Sequence, residues 1–115
     1  MITLLSAIAG FIAVALGAFG AHALKGGFGP DQTSWWDTAT LYLLVHAALA
    51  TALSATDMSR FGTAALVLLL GALVFSGTLY AMAMGAPRWF GAITPVGGLG
   101  LLAGWALIAV ATLRA

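Results

Sequence analysis

Four long apolar runs, parted by short polar or glycine-rich breaks, make up nearly the whole chain. The first runs from about Ile2 to Leu24. It is closed by Lys25-Gly26-Gly27-Phe28-Gly29-Pro30-Asp31, whose glycines and proline do not sustain a helix. Ser34-Trp35-Trp36-Asp37 reads as a capping box, with the Ser34 hydroxyl and Asp37 carboxylate available to free backbone amides. The second run covers residues 35–55, and Asp57-Met58-Ser59-Arg60 forms a polar turn after it. A third covers residues 61–84 and ends at Gly85-Ala86-Pro87-Arg88-Trp89. Thr94-Pro95 suits the start of the fourth, residues 94–113, because proline at the first helical position gives up no bonded amide. A start nearer Trp89 would instead make Pro95 a kink. About 20 helical residues cross the roughly 30 Å hydrocarbon core of a bilayer, and each run reaches that length. The pattern predicts an all-α integral membrane protein, with residues 1–115 forming a single transmembrane domain. Short connections make it an up-down-up-down four-helix bundle with both termini on one side.

Small residues recur at four-residue spacing in every run: Ala9, Ala13, Gly17 and Ala21; Ala48 and Ala52; Gly77, Ala81 and Gly85; Gly100 and Gly104. Such rows let backbones approach closely in lipid, where no hydrophobic force drives helices together. Gly17, Gly20, Gly77, Gly100 and Gly104 are the expected packing glycines.

Composition agrees with a lipid-facing chain. Of 115 residues 63% are hydrophobic and 6% charged, where a soluble domain carries about 25% charged residues. The net charge of +1 provides no field to attract nucleic acid. Absence of cysteine excludes disulfides, thiolate metal sites and a cysteine nucleophile. Ala21-His22-Ala23 has the small-x-small look of a signal cleavage site. No basic residue precedes the run, however, and the run exceeds the roughly 7–15 residues of a signal core. An uncleaved first span is expected. Arg60 and Arg114 share the side of the termini, Lys25 and Arg88 the other, so the basic residues give no orientation.

Antiparallel folding gathers the polar side chains in one leaflet, away from the termini. His22 ends the first span; Thr38, Tyr42 and His46 form a stripe on the second; Ser76, Thr78 and Tyr80 lie late in the third, and Thr94 opens the fourth. Trp35, Trp36 and Trp89 mark the same boundary as interfacial anchors. Two readings stand side by side. The cluster of His22, Tyr42, His46, Ser76, Thr78, Tyr80 and Thr94 is either interhelical glue or a polar pocket open toward Lys25 and Arg88. Such a pocket would take a lipid headgroup, a quinone or another amphipathic ligand.

Chemistry has little to work with. His22 and His46 differ in height by roughly 10 Å at helical rise, which does not suit a haem clamp. No intramembrane carboxylate accompanies them as a metal ligand or a proton relay. Ser76 with His46 is the one conceivable nucleophile and base, and no orienting group is evident. A non-enzymatic protein without cofactor or metal is expected. The leading expectation is a structural or accessory role, with small-residue rows facing a larger membrane complex or another copy. The alternative is the amphipathic-ligand binder.

Gly17-Ala18-Phe19-Gly20-Ala21-His22-Ala23-Leu24, Trp36 with Thr38-Ala39, Tyr42, His46-Ala47, Phe75-Ser76-Gly77-Thr78-Leu79-Tyr80, Thr94-Pro95-Val96-Gly97-Gly98 and Gly104-Trp105 fall on all four spans. Together they resemble the small bacterial membrane proteins known as domain of unknown function four-two-three, which has a eukaryotic transmembrane relative. The resemblance covers nearly the whole chain. It departs only in the sparseness of basic residues at the middle turn and C-terminus. The resemblance implies a four-span protein of the bacterial inner membrane, among membrane lipids, with both termini cytoplasmic and no catalytic residue to carry over.

Overall fold

The computed structural model describes residues 1–24 and 26–114, without the side chain of Ala23. Four long helices account for most of them. Helix α1, Ile2–Phe19, continues into a π-helical turn, Gly20–Leu24. Then come α2, Pro30–Thr56, and α3, Met58–Ala83. A 3₁₀ turn, Arg88–Ala92, leads into α4, Thr94–Leu113. With their flanking turns, all four are long and apolar enough to cross a bilayer. The protein is the expected all-α, four-span membrane protein.

Two boundaries differ from the sequence reading. Helix α2 begins at Pro30, one turn before the expected Ser34-Asp37 capping box. Pro30 supplies the first turn, and the Gln32 side chain reaches back to accept from the Gly29 amide at 2.6 Å. Ser34 therefore sits inside the helix and caps nothing. Helix α3 starts at Met58, directly after Asp57, whose carboxylate accepts from the Arg60 amide at 3.1 Å and the Ser59 hydroxyl at 3.0 Å. One residue thus joins α2 to α3. At the far end of α3, Gly85 takes φ +110°, which lets the Ala86 amide close back on the Ala81 carbonyl at 2.9 Å. Pro95 lies in the first turn of α4, as its position predicts.

Packing follows chain order: α1 on α2, α2 on α3, α3 on α4, with only a slight touch of α1 on α3. One core cluster threads all four through Ala9 and Ala13, Leu43 and Ala47, Leu68, Leu69 and Ala72, and Leu101. The tightest seam joins α3 to α4. A Cβ at Gly97 would run into the Phe75 backbone and the Gly71 carbonyl, and one at Gly71 would stand 2.9 Å from the Leu101 amide. Here two backbones touch, which is how helices adhere where lipid is as apolar as the side chains.

The small-residue rows are only partly used in this way. Ala9, Ala13 and Gly17 face α2, and Gly100 and Gly104 face α3, so neither row is free for a partner chain as expected. Ala21, Ala48 and Ala52 point outward, and Gly85 belongs to the turn. Gly77 is exposed, and a Cβ there meets nothing, so it packs no helix. The α3 glycine that packs is Gly71.

Candidate functional site

Toward the termini Ser6 and Ser54 are buried, Ser54 bonded to Thr3 at 2.8 Å. In the half of the bundle away from the termini, the interior polar groups fall into three separate places. The first is where the π-turn meets α2 and α3. Trp36 is only 4% exposed, so it is a core residue, not the interfacial anchor its position suggests. Its indole lies across Gly20, where any Cβ would overlap the ring, and its N–H donates to the Leu16 carbonyl at 2.8 Å. Gly17 leaves comparable room for the Thr40 methyl, 2.9 Å from where its Cβ would stand. Thr40 and Tyr80 share a hydrogen bond at 2.7 Å, and the Tyr80 ring meets Trp36 edge-on at 4.6 Å. This hub explains the glycines of Gly17-Ala18-Phe19-Gly20: they admit two α2 side chains. Replacing Thr40 by valine should remove one interhelical bond and lower stability by about 0.6 kcal/mol, typical of membrane hydrogen bonds. Denaturant titration in mixed micelles checks it, and no change would mean that the Tyr80 hydroxyl finds another partner.

A second place lies between α3 and its neighbours. The buried Ser76 hydroxyl donates to the Ala39 carbonyl of α2 at 2.7 Å, and Thr78 bonds Thr94 of α4 at 2.6 Å. Both fix helix register. The Ser76 hydroxyl is thus bonded to main chain, and both His46 nitrogens to other partners.

The third place holds His46 and Tyr42. His46 Nδ1 lies 2.7 Å from the Tyr42 carbonyl, and Nε2 lies 3.1 Å from the Trp105 indole nitrogen. An indole N–H only donates, so Nε2 is the acceptor and Nδ1 carries the proton. Both ring nitrogens are satisfied in that tautomer. Tyr42 packs at a tilt against Phe75 with centroids 4.5 Å apart, and its hydroxyl has no hydrogen-bond partner among the described residues. These side chains edge an open slot of about 660 Å³ between α2 and α4. Phe75 lies between them, and Pro95, Gly98, Leu99 and Leu102 form the α4 wall. From Pro95 to Trp105 is about 15 Å at helical rise, half the thickness of a hydrocarbon core.

The sequence-predicted cluster is therefore dispersed. Tyr42 and His46 share the slot; Ser76, Thr78 and Thr94 tie α3 to its neighbours; Tyr80 belongs to the hub; His22 stands exposed in the π-turn. Lys25, expected at the same surface, lies outside the described residues. Thr40 and the Trp105–His46 pair were missed by sequence reasoning. Thr40 lies one turn from Trp36 and could have been matched to Gly17 and Gly20; nothing local joins Trp105 to a histidine 59 residues away. Among the described residues no group of His, Asp and Glu could hold a metal.

Four apolar helices fastened by hydrogen bonds across their interfaces define a small multi-pass membrane protein. The chain belongs to the family described as "Protein of unknown function (DUF423)", which it matches over residues 16–98. It is 42% identical over 113 residues to the UPF0382 inner membrane protein YgdD of Escherichia coli K12, covering 95% of this chain and 86% of that one. A UPF0382 membrane protein of Staphylococcus epidermidis is 37% identical over 114 residues, covering 96% and 93%. One from Haemophilus influenzae is 42% identical over 113 residues, covering 96% and 91%. No solved structure matches the chain.

Proposed function

We propose that the protein works without catalysis in the bacterial inner membrane, termini cytoplasmic, holding the chain of an amphipathic, lipid-like molecule in the α2–α4 slot. The slot carries this reading. It is nearly all apolar, opens sideways to lipid, and has the length of one leaflet, the outer one in this orientation. Its one unpartnered polar group is the Tyr42 hydroxyl. The remaining polar side chains near it are bonded within the bundle, and among the described residues no serine or threonine hydroxyl is bonded to a histidine. The location has support from relatives named as inner membrane proteins.

Gly98 offers the test. A Cβ there stands 3.8 Å from the Phe75 ring, in ordinary contact, so a leucine enters the slot without displacing backbone. Wild-type protein extracted gently from its own membranes should carry one amphipathic molecule per chain by native mass spectrometry. Gly98→Leu should lower that occupancy about tenfold, equivalent to about 1.4 kcal/mol, with the melting temperature unchanged. A bare wild-type chain, or full occupancy in the variant, refutes the slot.

A further inference from the structure

We infer that the opposite end of the molecule binds the phosphate of an anionic phospholipid between Arg60 and Arg114. A cleft of about 490 Å³ lies there between the start of α3 and the end of α4. Its rim carries the two arginines and the hydroxyls of Ser59 and Thr63, and its floor is Ala64, Leu107 and Ala111. This is the polarity profile of a phospholipid at the level of its phosphate: charge and hydrogen bonding outside, acyl chain inside. It is a different place from the slot, at the other end of the helices, and does not depend on it.

Charge separates the two ends of the molecule. By position in the sequence, Lys25, Asp31, Asp37 and Arg88 fall to one end, and Asp57, Arg60 and Arg114 to the other. The whole net side-chain charge of +1 belongs to the cleft end. Arg88 is already engaged, 3.2 Å from Asp31 and stacked over Trp35 at 5.4 Å. Arg60 is held more loosely, its Nε 3.9 Å from Asp57 Oδ2 and its guanidinium 6.0 Å from the Phe61 ring centre. The other Asp57 oxygen takes the Arg60 amide and the Ser59 hydroxyl. Arg114 has no ion pair among the described residues, and the Thr63 hydroxyl has no hydrogen bond there. Guanidinium groups match phosphate oxygens in a planar, two-pronged fashion. Basic pockets between membrane helices are a recurrent setting for acidic headgroups. The apolar floor selects a lipid over a free phosphate ion, which has no chain to place there.

The experiment takes the full chain in dodecyl maltoside and measures retention of added phosphatidylglycerol and phosphatidylcholine by native mass spectrometry. Phosphatidylglycerol should be retained in preference. Arg60→Gln and Arg114→Gln should each lower its retention about fivefold, the effect of one basic residue at a membrane surface, and together they should erase the preference. Arg88→Gln should leave it intact. Equal retention of the two lipids by wild type overturns the proposal. So does a preference that survives the double substitution, or an equal loss in Arg88→Gln. Inorganic phosphate that protects against heating as well as phosphatidylglycerol does would also overturn it, by assigning the cleft to a free ion. Should the double variant fold poorly, the two single variants and the Arg88 control decide the matter.

Discussion

Gly97→Leu should destabilise the protein by about 3 kcal/mol, at the upper end of what overpacking costs. The reason is what the new side chain would meet. At most crowded positions a side chain can turn aside, but here the obstacles are the Phe75 amide and Cα and the Gly71 carbonyl oxygen, all backbone of α3. The only relief is for α4 to move away from α3, which also opens the Gly71–Leu101 and Gly104–Leu68 contacts along the same seam. Gly97→Ala should show a smaller loss in the same direction. Gly77→Leu, at a position where a Cβ meets nothing, should leave stability nearly unchanged. Unfolding by sodium dodecyl sulfate in mixed micelles measures all three. An unaltered midpoint for Gly97→Leu would mean that α3 and α4 do not touch as described.

Trp36→Ala should cost a similar amount, about 3 kcal/mol, for a different reason. In water the loss would be larger, because folding there also takes the apolar ring out of solvent. Lipid removes that contribution, since a freed ring is as comfortable among acyl chains. What remains is the void left between α1, α2 and α3, the edge contact to Tyr80, and the N–H bond to the Leu16 carbonyl. Trp36→Phe keeps most of the ring and loses the bond, and should cost about 1 kcal/mol. Gly20→Ala forces the indole from its place from the other side and should resemble Trp36→Ala more than Trp36→Phe. Combining Gly20→Ala with Trp36→Ala should cost less than the sum of the two, because both act on one contact. Additive losses would refute the hub.

The hydrophobic runs made the number, order and direction of the helices legible, because a span is announced by length alone. Which face of each span points inward was harder to read. In a water-soluble helix an apolar stripe marks the core, but here both faces are apolar and the contrast vanishes. Rows of small residues are a weaker guide: Gly100 and Gly104 do pack, while Gly77 and Ala52, at the same spacing, look outward. The Ser34 cap was misread because Gln32, two residues earlier, reaches back to Gly29 and starts the helix first. Of the candidate cluster, the positions were visible but the partners were not. Ser76 bonds a main-chain carbonyl, which no side-chain pattern advertises, and His46 bonds a tryptophan from the last helix. The slot itself is a space between helices, and no residue encodes a space.

The order in which the helices pack bears on how the protein is made. From α2 onward each helix packs on the one synthesised immediately before it, and the link between α2 and α3 is the single residue Asp57. A nascent chain leaving the insertion machinery can therefore complete each interface as soon as the next span enters the bilayer. No early helix has to wait, unpaired, for a late one. The Trp105–His46 bond joins the last span to the second, so the slot closes into its final shape when synthesis is essentially finished.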